Sequence, residues 1–211
     1  MNLTNIIEGC LNEIYPVSFD MKEFNSIKSF AKKAKYCAER LQRISSGSGR
    51  IVYKIDDEKV IKLAKNLKGI AQNETESDQY IQTNYSEVVA KCYDWDDANN
   101  FWLEMELARK MNANDFKRIV GYPLNGENSI EAWLTKVVDK TSRYRISPEV
   151  MEVLNESEFT YALHDLVGSY SMQKGDFFKL NSWGKVLRDG KEAAVLIDFG
   201  LSENVWKEYY S

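Results

Sequence analysis

The sequence has 211 residues, of which 44% are hydrophobic and 28% are charged. This composition supplies a hydrophobic core, and with only 3 prolines and 11 glycines it excludes global disorder and the collagen-like and mucin-like classes. The 28 basic and 32 acidic residues leave a net charge of −4. We therefore expect neither DNA nor RNA as a partner, since both bind basic surfaces.

Cys10, Cys37 and Cys92 are odd in number and widely spaced, and His164 is the one histidine. This spacing argues against a disulfide scaffold and against a zinc site. The first residues include acids and lack a basic start followed by a long apolar run, so no signal peptide is predicted. No stretch approaches the roughly 18 apolar residues of a membrane span. We expect a soluble, cytoplasmic protein that does not contact a membrane.

Residues 1–43 carry apolar side chains at helical spacing and predict an amino-terminal helical extension. The second half of this extension, from Phe24 to Leu41, contains lysines that fall away from the apolar stripe and are expected to face solvent. The first stripe consists of Ile6, Ile7, Leu11 and Ile14, and the lysines are Lys28, Lys32, Lys33 and Lys35.

The pattern changes abruptly at the Ser/Gly segment 44–49. Strands are predicted over residues 50–55 and 59–64, as a hairpin around the polar turn 56–58. A helix is predicted over 67–83, followed by strands over 87–93 and 101–107 with a turn between them. Residues 50–107 are therefore predicted to form a β-rich unit with one helix.

The remainder of the chain is predicted to be mostly helical. Pro148 follows Ser147 as a helix start, and a second helix is predicted over 157–171. Near the end, residues 184–187 and 194–197 flank Asp189-Gly190, and an Asp-Gly pair between apolar runs is a strong signal for a β-hairpin.

Three patterns along the chain carry chemistry. The loop glycines Gly47 and Gly49 would let backbone N–H groups approach an anion, although a plain turn has the same composition. Lys62 lies inside an apolar strand and must reach solvent or an ion partner. Asp176 stands five residues before Asn181, and the late hairpin ends at Asp198-Phe199-Gly200, although a loop cap and a strand end would also account for these residues.

In this order, the three patterns resemble the protein-kinase fold from about Ile44 to Ser202, about three quarters of the chain. Ile44 to Val52 resembles the glycine-rich loop, with a serine at the place of its first glycine. Val60-Ile61-Lys62 resembles the lysine strand, Asp176 and Asn181 reproduce the D-x-x-x-x-N spacing of the catalytic loop, and Asp198-Phe199-Gly200 matches the metal-binding triplet.

The resemblance implies an α+β, protein-kinase-like bilobal fold. Its N-lobe would hold a five-stranded antiparallel sheet and one helix, and its short, mainly helical C-lobe would hold the late β-hairpin. The implied domains are a helical extension over 1–43, a kinase-like N-lobe over 44–108 and a truncated kinase-like C-lobe over 109–211. The chain is also similar to reduced kinase-like proteins of large bacterial viruses, for which the compartment would be the host cytoplasm.

The resemblance also implies ATP and Mg²⁺ as cofactors. Lys62 would hold the α- and β-phosphates, and Glu76, with Glu74 as the second choice, would keep that lysine in place. Asp176 would act on the acceptor hydroxyl, and Asn181 and Asp198 would be the metal ligands. The loop glycines Gly47 and Gly49 would cover the phosphates, and the adenine would be enclosed by Ile44, Val52, Ile61 and Met105 and by the backbone of Glu106, Leu107 and Ala108.

Departures from the kinase pattern keep a second function open. Lys174-Gly175 stands where protein kinases have His-Arg, and eleven residues follow Gly200, so the helices that seat a peptide substrate are missing from this sequence. The first interpretation is an ATP/Mg²⁺-dependent phosphotransferase whose acceptor the sequence does not specify. The alternative is a non-catalytic kinase-like protein with a binding, regulatory or structural role. A protein partner or self-association could complete the C-lobe in either case.

Overall fold

The computed structural model describes residues 15–16, 18–172 and 174–209, with the side chain of Lys174 left out. The helix predicted from Ile6 to Ile14 lies outside the described residues. The chain forms two compact units, one comprising Met1–Ser77 and Cys92–Leu107, the other Asp78–Lys91 and Ala108–Ser211. We call them the first and the second unit.

The first unit is built on a five-stranded antiparallel sheet, as predicted. Its strands are β1 (Gln42–Ser46), β2 (Arg50–Lys54), β3 (Lys59–Ala64), β4 (Cys92–Trp95) and β5 (Trp102–Glu106). They lie in the order β1-β2-β3-β5-β4 with antiparallel pairing throughout. The first strand begins before the Ser/Gly segment, so that segment turns between two paired strands.

Helices α1 (Met21–Ser26) and α2 (Phe30–Arg40) precede the sheet and pack on one of its faces. Their buried side chains Phe24, Tyr36 and Cys37 share a hydrophobic cluster with Ile61 of β3. The expectation that Lys33 faces solvent is wrong, because its side chain is buried and its Nζ donates to the Phe24 carbonyl at 2.7 Å. The same ammonium lies 4.0 Å from the centre of the Phe24 ring, a cation–π contact that offsets part of the desolvation.

The helix predicted over 67–83 is divided into α3 (Leu67–Ser77) and α4 (Gln79–Asn84). Asp78 interrupts it, because its backbone is non-helical, with ψ at 120°, and its carboxylate accepts from the Ile81 N–H at the start of a new helix. The strand predicted over 87–93 is also wrong over its first part. Residues 86–88 form a turn, and the strand begins only at Cys92.

The second unit contains most of the helices and a three-stranded sheet. Besides α4, its helices are α5 (Ala113–Val120), α6 (Ile130–Val138), α7 (Pro148–Asn155), α8 (Glu158–Ser169), α9 (Lys174–Phe177) and α10 (Glu203–Tyr209). The sheet has the order β6 (Arg109–Lys110), β7 (Trp183–Arg188), β8 (Lys191–Leu196). The predicted helix start at Pro148 and the predicted late hairpin are both present.

The hairpin turn has the backbone that its sequence requires. Asp189 and Gly190 have φ angles of 50° and 76°, the left-handed pair of a type I′ turn. This hairpin leads directly to Asp198. Among the helices that the structure describes, none is long and apolar enough to cross a membrane.

Candidate active-site residues in the two units

Strand register places Lys62 on the face of the sheet that α3 covers. Val52 and Leu103 lie opposite Lys62 on the neighbouring strands, and directly opposed residues share a face. Met105 lies opposite Val60 on the same face. Val60 therefore belongs among the apolar residues beside Lys62, although sequence reasoning missed it.

Ile61 was expected to line the adenine site, and this expectation is wrong. Side chains alternate between the two faces of a strand, so Ile61 points away from Lys62 and is fully buried in the cluster formed with α1 and α2. The same alternation could have revealed this from the sequence, since Ile61 and Lys62 are adjacent.

Lys62 and Glu76 form the ion pair that the resemblance implies. The Lys62 Nζ donates to Glu76 Oε2 at 2.5 Å, and the two side chains are 6% and 0% exposed. The second choice, Glu74, is exposed on α3. An acid two residues away along a helix faces a different direction, which explains why only one of the two reaches the lysine.

Glu76 has a second cationic partner that the sequence did not suggest. The Arg50 Nη2 donates to Glu76 Oε1 at 2.7 Å, and the Arg50 side chain is 8% exposed. The Arg50 Nη1 also lies 3.4 Å from Asn73 Oδ1, one turn earlier on α3. Arg50 thereby connects the first residue of β2 to the helix that carries Glu76.

Two opposing effects set the pKa of Glu76. Burial alone raises the pKa of a carboxyl, but the charges of Arg50 and then Lys62 outweigh it, and their hydrogen bonds act in the same direction. The pKa falls from the ordinary 4.5 to about 2. Glu76 is therefore ionised at neutral pH.

The Ser/Gly turn between β1 and β2 is fixed against the segment that precedes α3. The Gly49 carbonyl accepts from the Lys65 N–H at 2.8 Å, the Gly47 carbonyl from Lys65 Nζ at 2.8 Å, and the Ser48 carbonyl from Asn66 Nδ2 at 3.1 Å. Such anchoring holds the loop backbone in one conformation, which an anion-binding loop requires.

Gly49 packs closely against Gly69 of α3. A Cβ built at Gly49 would lie 3.3 Å from the Gly69 Cα, and one at Gly69 would lie 2.2 Å from the Gly49 carbonyl oxygen. Gly47 has open space around it. Packing therefore restricts the side chain that position 49 can hold, whereas it does not restrict position 47.

The remaining predicted residues of the first unit lie in the middle of β1 and at the end of β5. Ile44 is the bulged residue of β1 and is 46% exposed, while Met105 is fully buried. Glu106 ends β5, and the Leu107 N–H that follows it donates to the Glu58 carbonyl at 2.7 Å. The Leu107 N–H is therefore already used inside the first unit.

In the second unit, Asp176 lies in the short helix α9 and pairs with Lys179. The Lys179 Nζ lies 2.5 Å from Asp176 Oδ1, and this contact raises the pKa of the Lys179 ammonium. Asn181 is exposed in the 3₁₀ turn Leu180–Ser182. The Trp183 Nε1 donates to the Phe177 carbonyl at 2.6 Å and so fixes the two ends of this segment to each other.

The segment that carries Asn181 is hydrogen-bonded to the segment that carries Asp198. The Ile197 N–H donates to the Ser182 carbonyl at 2.8 Å. Asn181 precedes Ser182 and Asp198 follows Ile197, so each is adjacent in sequence to one residue of this hydrogen-bonded pair. Asn181 and Asp198 are exposed, whereas Phe199 is buried. Asp198 offers a carboxylate oxygen and Asn181 an amide oxygen. Mg²⁺ is coordinated by such oxygens together with phosphate oxygens and water, so these two residues fit the ion. Within the described ranges, no group of three His, Cys, Asp or Glu residues could hold a metal alone.

The first unit also contains a cavity that sequence reasoning missed. Its volume is about 1020 Å³, and it contains none of the predicted site residues. It borders the face of the sheet opposite Lys62. Its lining includes the buried Glu104, which accepts from the Tyr15 hydroxyl at 2.6 Å. Its lining combines side chains such as Phe19 and Asn25 with Lys59 and with Tyr93 and Trp102, which are far apart in sequence, so no local pattern could have indicated it.

The order of elements in this chain matches the one that the resemblance implies. A hairpin with a Ser/Gly turn is followed by a strand lysine, a helix glutamate paired with it and two further strands. The second unit then contains a hairpin directly before Asp198-Phe199-Gly200. The fold is protein-kinase-like.

No protein-family model matches the sequence, and no curated protein matches it. Among solved structures, the chain is similar to SAICAR synthase from Saccharomyces cerevisiae complexed with SAICAR, at 11% identity and a TM-score of 0.38, over 75% of this chain and 73% of that one.

Two aminoglycoside-modifying enzymes are also similar. A mutant of aminoglycoside 2'-phosphotransferase IIIa complexed with GDP has 7% identity and a TM-score of 0.37, over 83% of this chain and 74% of that one. The streptomycin–ATP ternary complex of APH(2″)-IIa has 12% identity and a TM-score of 0.35, over 82% and 71%. At such scores these likenesses assign neither a substrate nor a nucleotide to this chain.

Proposed function

We propose that this protein is an ATP- and Mg²⁺-dependent phosphotransferase of reduced kinase-like fold. The observation that carries the proposal is the buried Lys62–Glu76 ion pair, at 2.5 Å, on a sheet face lined by apolar side chains. Burying two charges is costly, and a pair of hydrophobic residues would pack there at no such cost. This cost supports a functional role for the lysine at this position.

The first unit supplies the nucleotide contacts in this proposal. Lys62 binds the α- and β-phosphates, and Glu76 holds the lysine in the orientation that this requires. Val52, Val60 and Met105 share the face of Lys62 and form the apolar surface for the adenine. Gly47 and Gly49 bring the loop backbone toward the phosphates, with Ile44 at its start.

The second unit supplies the groups that act on the metal and on the acceptor. Asp198 and Asn181 hold Mg²⁺, which neutralises charge on the phosphate oxygens when it is bound. Asp176 accepts the proton of the acceptor hydroxyl or orients that hydroxyl. Phosphoryl transfer needs little more from a protein than this positioning and neutralisation.

Calorimetric titration with Mg²⁺-ATP tests the nucleotide part. We expect binding by the wild type and a loss of about tenfold or more for Lys62→Met, because a charge-assisted contact to phosphate is removed. Lys59→Met is the matched control, because Lys59 is on the same strand and pairs with Glu104 on the opposite face. Absence of ATP binding at millimolar concentration would refute the proposal.

The second unit is tested by two aspartate variants. Asp198→Asn should weaken Mg²⁺-ATP binding, because it removes a charged metal ligand, whereas Asp176→Asn should leave binding nearly intact. Asp189→Asn, in the hairpin turn, is the matched control, since asparagine tolerates the positive φ found there. Equal affinities for all three variants would remove Asp198 from the metal site.

A second candidate function is nucleotide binding without transfer. The Asp176–Lys179 ion pair at 2.5 Å favours it, because it engages the carboxylate assigned to the acceptor. The two candidates differ in one observable, since only the enzyme transfers phosphate in a manner that depends on Asp176.

A further inference from the structure

The cavity in the first unit has no role in the phosphoryl transfer proposed above. Its volume of about 1020 Å³ lies at the upper end of the roughly 300–1,000 Å³ typical of small-molecule sites in proteins. Its wall comes mainly from α1 and the segment before it, from β4 and β5, and from the turn between those two strands. All described residues of the wall belong to the first unit. The cavity therefore has the size of a binding site for one small molecule.

Aromatic rings make up a large part of the wall. The rings of Tyr15 and Phe19 are stacked with their centroids 4.6 Å apart, and the Trp102 Nε1 donates to Asn25 Oδ1 at 2.9 Å. Rings fixed in this way offer apolar contact to a ligand, and their faces attract cations. The described aromatic residues of the wall are Tyr15, Phe19, Tyr93, Trp95, Phe101 and Trp102.

One buried carboxylate oxygen in the wall lacks a hydrogen-bond donor. Glu104 is 5% exposed and lies opposite Ile61 on the neighbouring strand, so it is on the face of the sheet away from Lys62. Its Oε1 accepts from the Tyr15 hydroxyl at 2.6 Å. Its Oε2 accepts no hydrogen bond from the described residues, and the Lys59 Nζ lies 3.9 Å from it, which is beyond hydrogen-bond distance. Buried carboxylate oxygens ordinarily have donors, so a ligand in the cavity would supply the missing one.

The charges around this oxygen favour a cation. Burial raises the pKa of Glu104, and the neighbouring charge of Asp94 acts in the same direction, so a positive charge in the cavity would stabilise the ionised form. The Lys59 ammonium also lies 4.9 Å from the centre of the Tyr93 ring, so it contacts a ring face as well as the carboxylate. Within the described ranges, no group of three His, Cys, Asp or Glu residues could hold a metal ion, which favours an organic cation.

We infer that this cavity binds a small organic cation, namely a protonated amine attached to an apolar or aromatic body. The ammonium group donates to Glu104 Oε2, and the body lies against the aromatic rings of the wall. A protonated amine provides both the N–H donor and the positive charge, whereas an alcohol provides only a donor. The site is on the face of the sheet opposite Lys62, so the inference goes beyond the proposed function and does not rest on it.

The test titrates three probes of matched size into the ¹⁵N-labelled full chain and follows the tryptophan indole N–H signals by NMR. The probes are 2-phenylethylamine, which is protonated at neutral pH, the neutral 2-phenylethanol and the anion phenylacetate. We expect the amine to bind with a Kd of about 1–10 mM, the alcohol about tenfold more weakly, and the anion more weakly still. The signals of Trp95 and Trp102, which line the cavity, should shift, and the other three should not. Trp→Phe variants assign the five signals.

Variants of the acidic residues test the role of the charge. Glu104→Gln keeps an acceptor for the Tyr15 hydroxyl but removes the charge, so it should weaken amine binding by about tenfold and leave alcohol binding unchanged. Asp94→Asn, an exposed residue of the wall, should weaken amine binding by about twofold, and it keeps the test decisive if Glu104→Gln does not fold. Glu39→Gln is the matched control, because Glu39 is exposed on α2 and is outside the described wall. It should bind all three probes like the wild type.

A mimic of a protein lysine, N-acetyl-lysine methylamide, separates a small-molecule site from a site for a partner protein. It carries the ammonium group without an aromatic body and should bind more weakly than 2-phenylethylamine. Tighter binding of this mimic would overturn the inference in favour of a protein ligand.

Three further results would overturn the inference. They are equal binding of the amine, the alcohol and the anion, unchanged amine affinity in both Glu104→Gln and Asp94→Asn, and no shift of the Trp95 and Trp102 signals with the amine at about 20 mM. ATP binding by the same protein is measured separately, so failure of this inference and failure of the proposed function are distinguishable.

Discussion

At the scale of single residues, Glu76 is the fully buried carboxylate that contacts both Arg50 and Lys62. Replacing it by glutamine removes the negative charge that both cations contact. Removal of one partner from a buried ion pair costs about 3–5 kcal/mol, so Glu76→Gln should lower the free energy of unfolding by that amount. Urea denaturation measures it. Glu74→Gln, an exposed acid on the same helix, should change stability by less than about 0.5 kcal/mol.

The same residue predicts a pH dependence. The pKa of Glu76 is about 2 in the folded chain and 4.5 ordinarily, so its stabilisation is complete above pH 4.5 and is lost as the pH falls toward 2. The difference in unfolding free energy between the wild type and Glu76→Gln should therefore be constant from pH 7 to 5 and shrink below pH 4.5. A difference that stays constant down to pH 2.5 would contradict this assignment.

The lysine–glutamate pair could be predicted from the sequence because it follows an ordered motif. Arg50 and Lys33 could not. Both are long cations, and both are buried because a partner from another element satisfies the charge or its donors. Such partners are set by tertiary packing, which sequence periodicity does not report.

At the level of elements, the Ser/Gly turn and the start of α3 depend on each other through two glycines. Gly69→Ala would place a Cβ 2.2 Å from the Gly49 carbonyl oxygen and 3.0 Å from the Ala64 Cα, so the backbone must move. We expect a loss of about 1–3 kcal/mol in urea denaturation. Gly47→Ala, with no atom within 4 Å of its Cβ, should be close to neutral and serves as the control. Equal stability of the two variants would show that the turn does not pack on α3.

The late hairpin gives a second test at this scale. Gly190 has a φ of 76° in the Asp-Gly turn, so Gly190→Ala should destabilise the chain by about 1 kcal/mol. Gly168 is exposed inside α8 with open space around it, so Gly168→Ala should stabilise the chain by about 0.5–1 kcal/mol through helix propensity. Thermal unfolding should shift in opposite directions for the two substitutions.

The predicted helices and strands agree with the structure where the local sequence signals were strong. The hairpins, the Pro148 helix start and strand β5 all follow turn residues or clear alternation. The helix predicted over 67–83 failed at Asp78, because a helix-capping acid inside a polar run gives no break in apolar periodicity. The strand predicted from residue 87 failed because the buried Val88 and Val89 form only an isolated parallel bridge to Leu196 at the end of β8, and residues 86–88 are in a turn.

For the molecule as a whole, the sequence supplied the fold class and the order of the motifs. The domain limits at 43 and 108, the cytoplasmic location and a partner or second copy that completes the C-lobe stay predictions. A cavity such as the one beside Glu104 could not be foreseen, because it is made by side chains from segments far apart in the chain.

Binding of nucleotide should stabilise the whole molecule. A ligand present at one hundred times its Kd raises the free energy of unfolding by about 2.7 kcal/mol when it binds only the folded state. Thermal unfolding with Mg²⁺-ATP should therefore show a higher Tm for the wild type and for Asp176→Asn, and a smaller shift for Asp198→Asn. An identical shift for all three proteins would contradict the assigned roles.

The most direct test of phosphotransferase activity is transfer of the γ-phosphate from radiolabelled Mg²⁺-ATP. Wild type, Asp176→Asn and the control Asp189→Asn are incubated with candidate acceptors and with cell lysate, under conditions in which each binds ATP. We expect transfer by the wild type and the control, and a rate at least about one hundredfold lower for Asp176→Asn. Equal transfer by the wild type and Asp176→Asn, or no transfer by a wild type that binds ATP, would contradict the account.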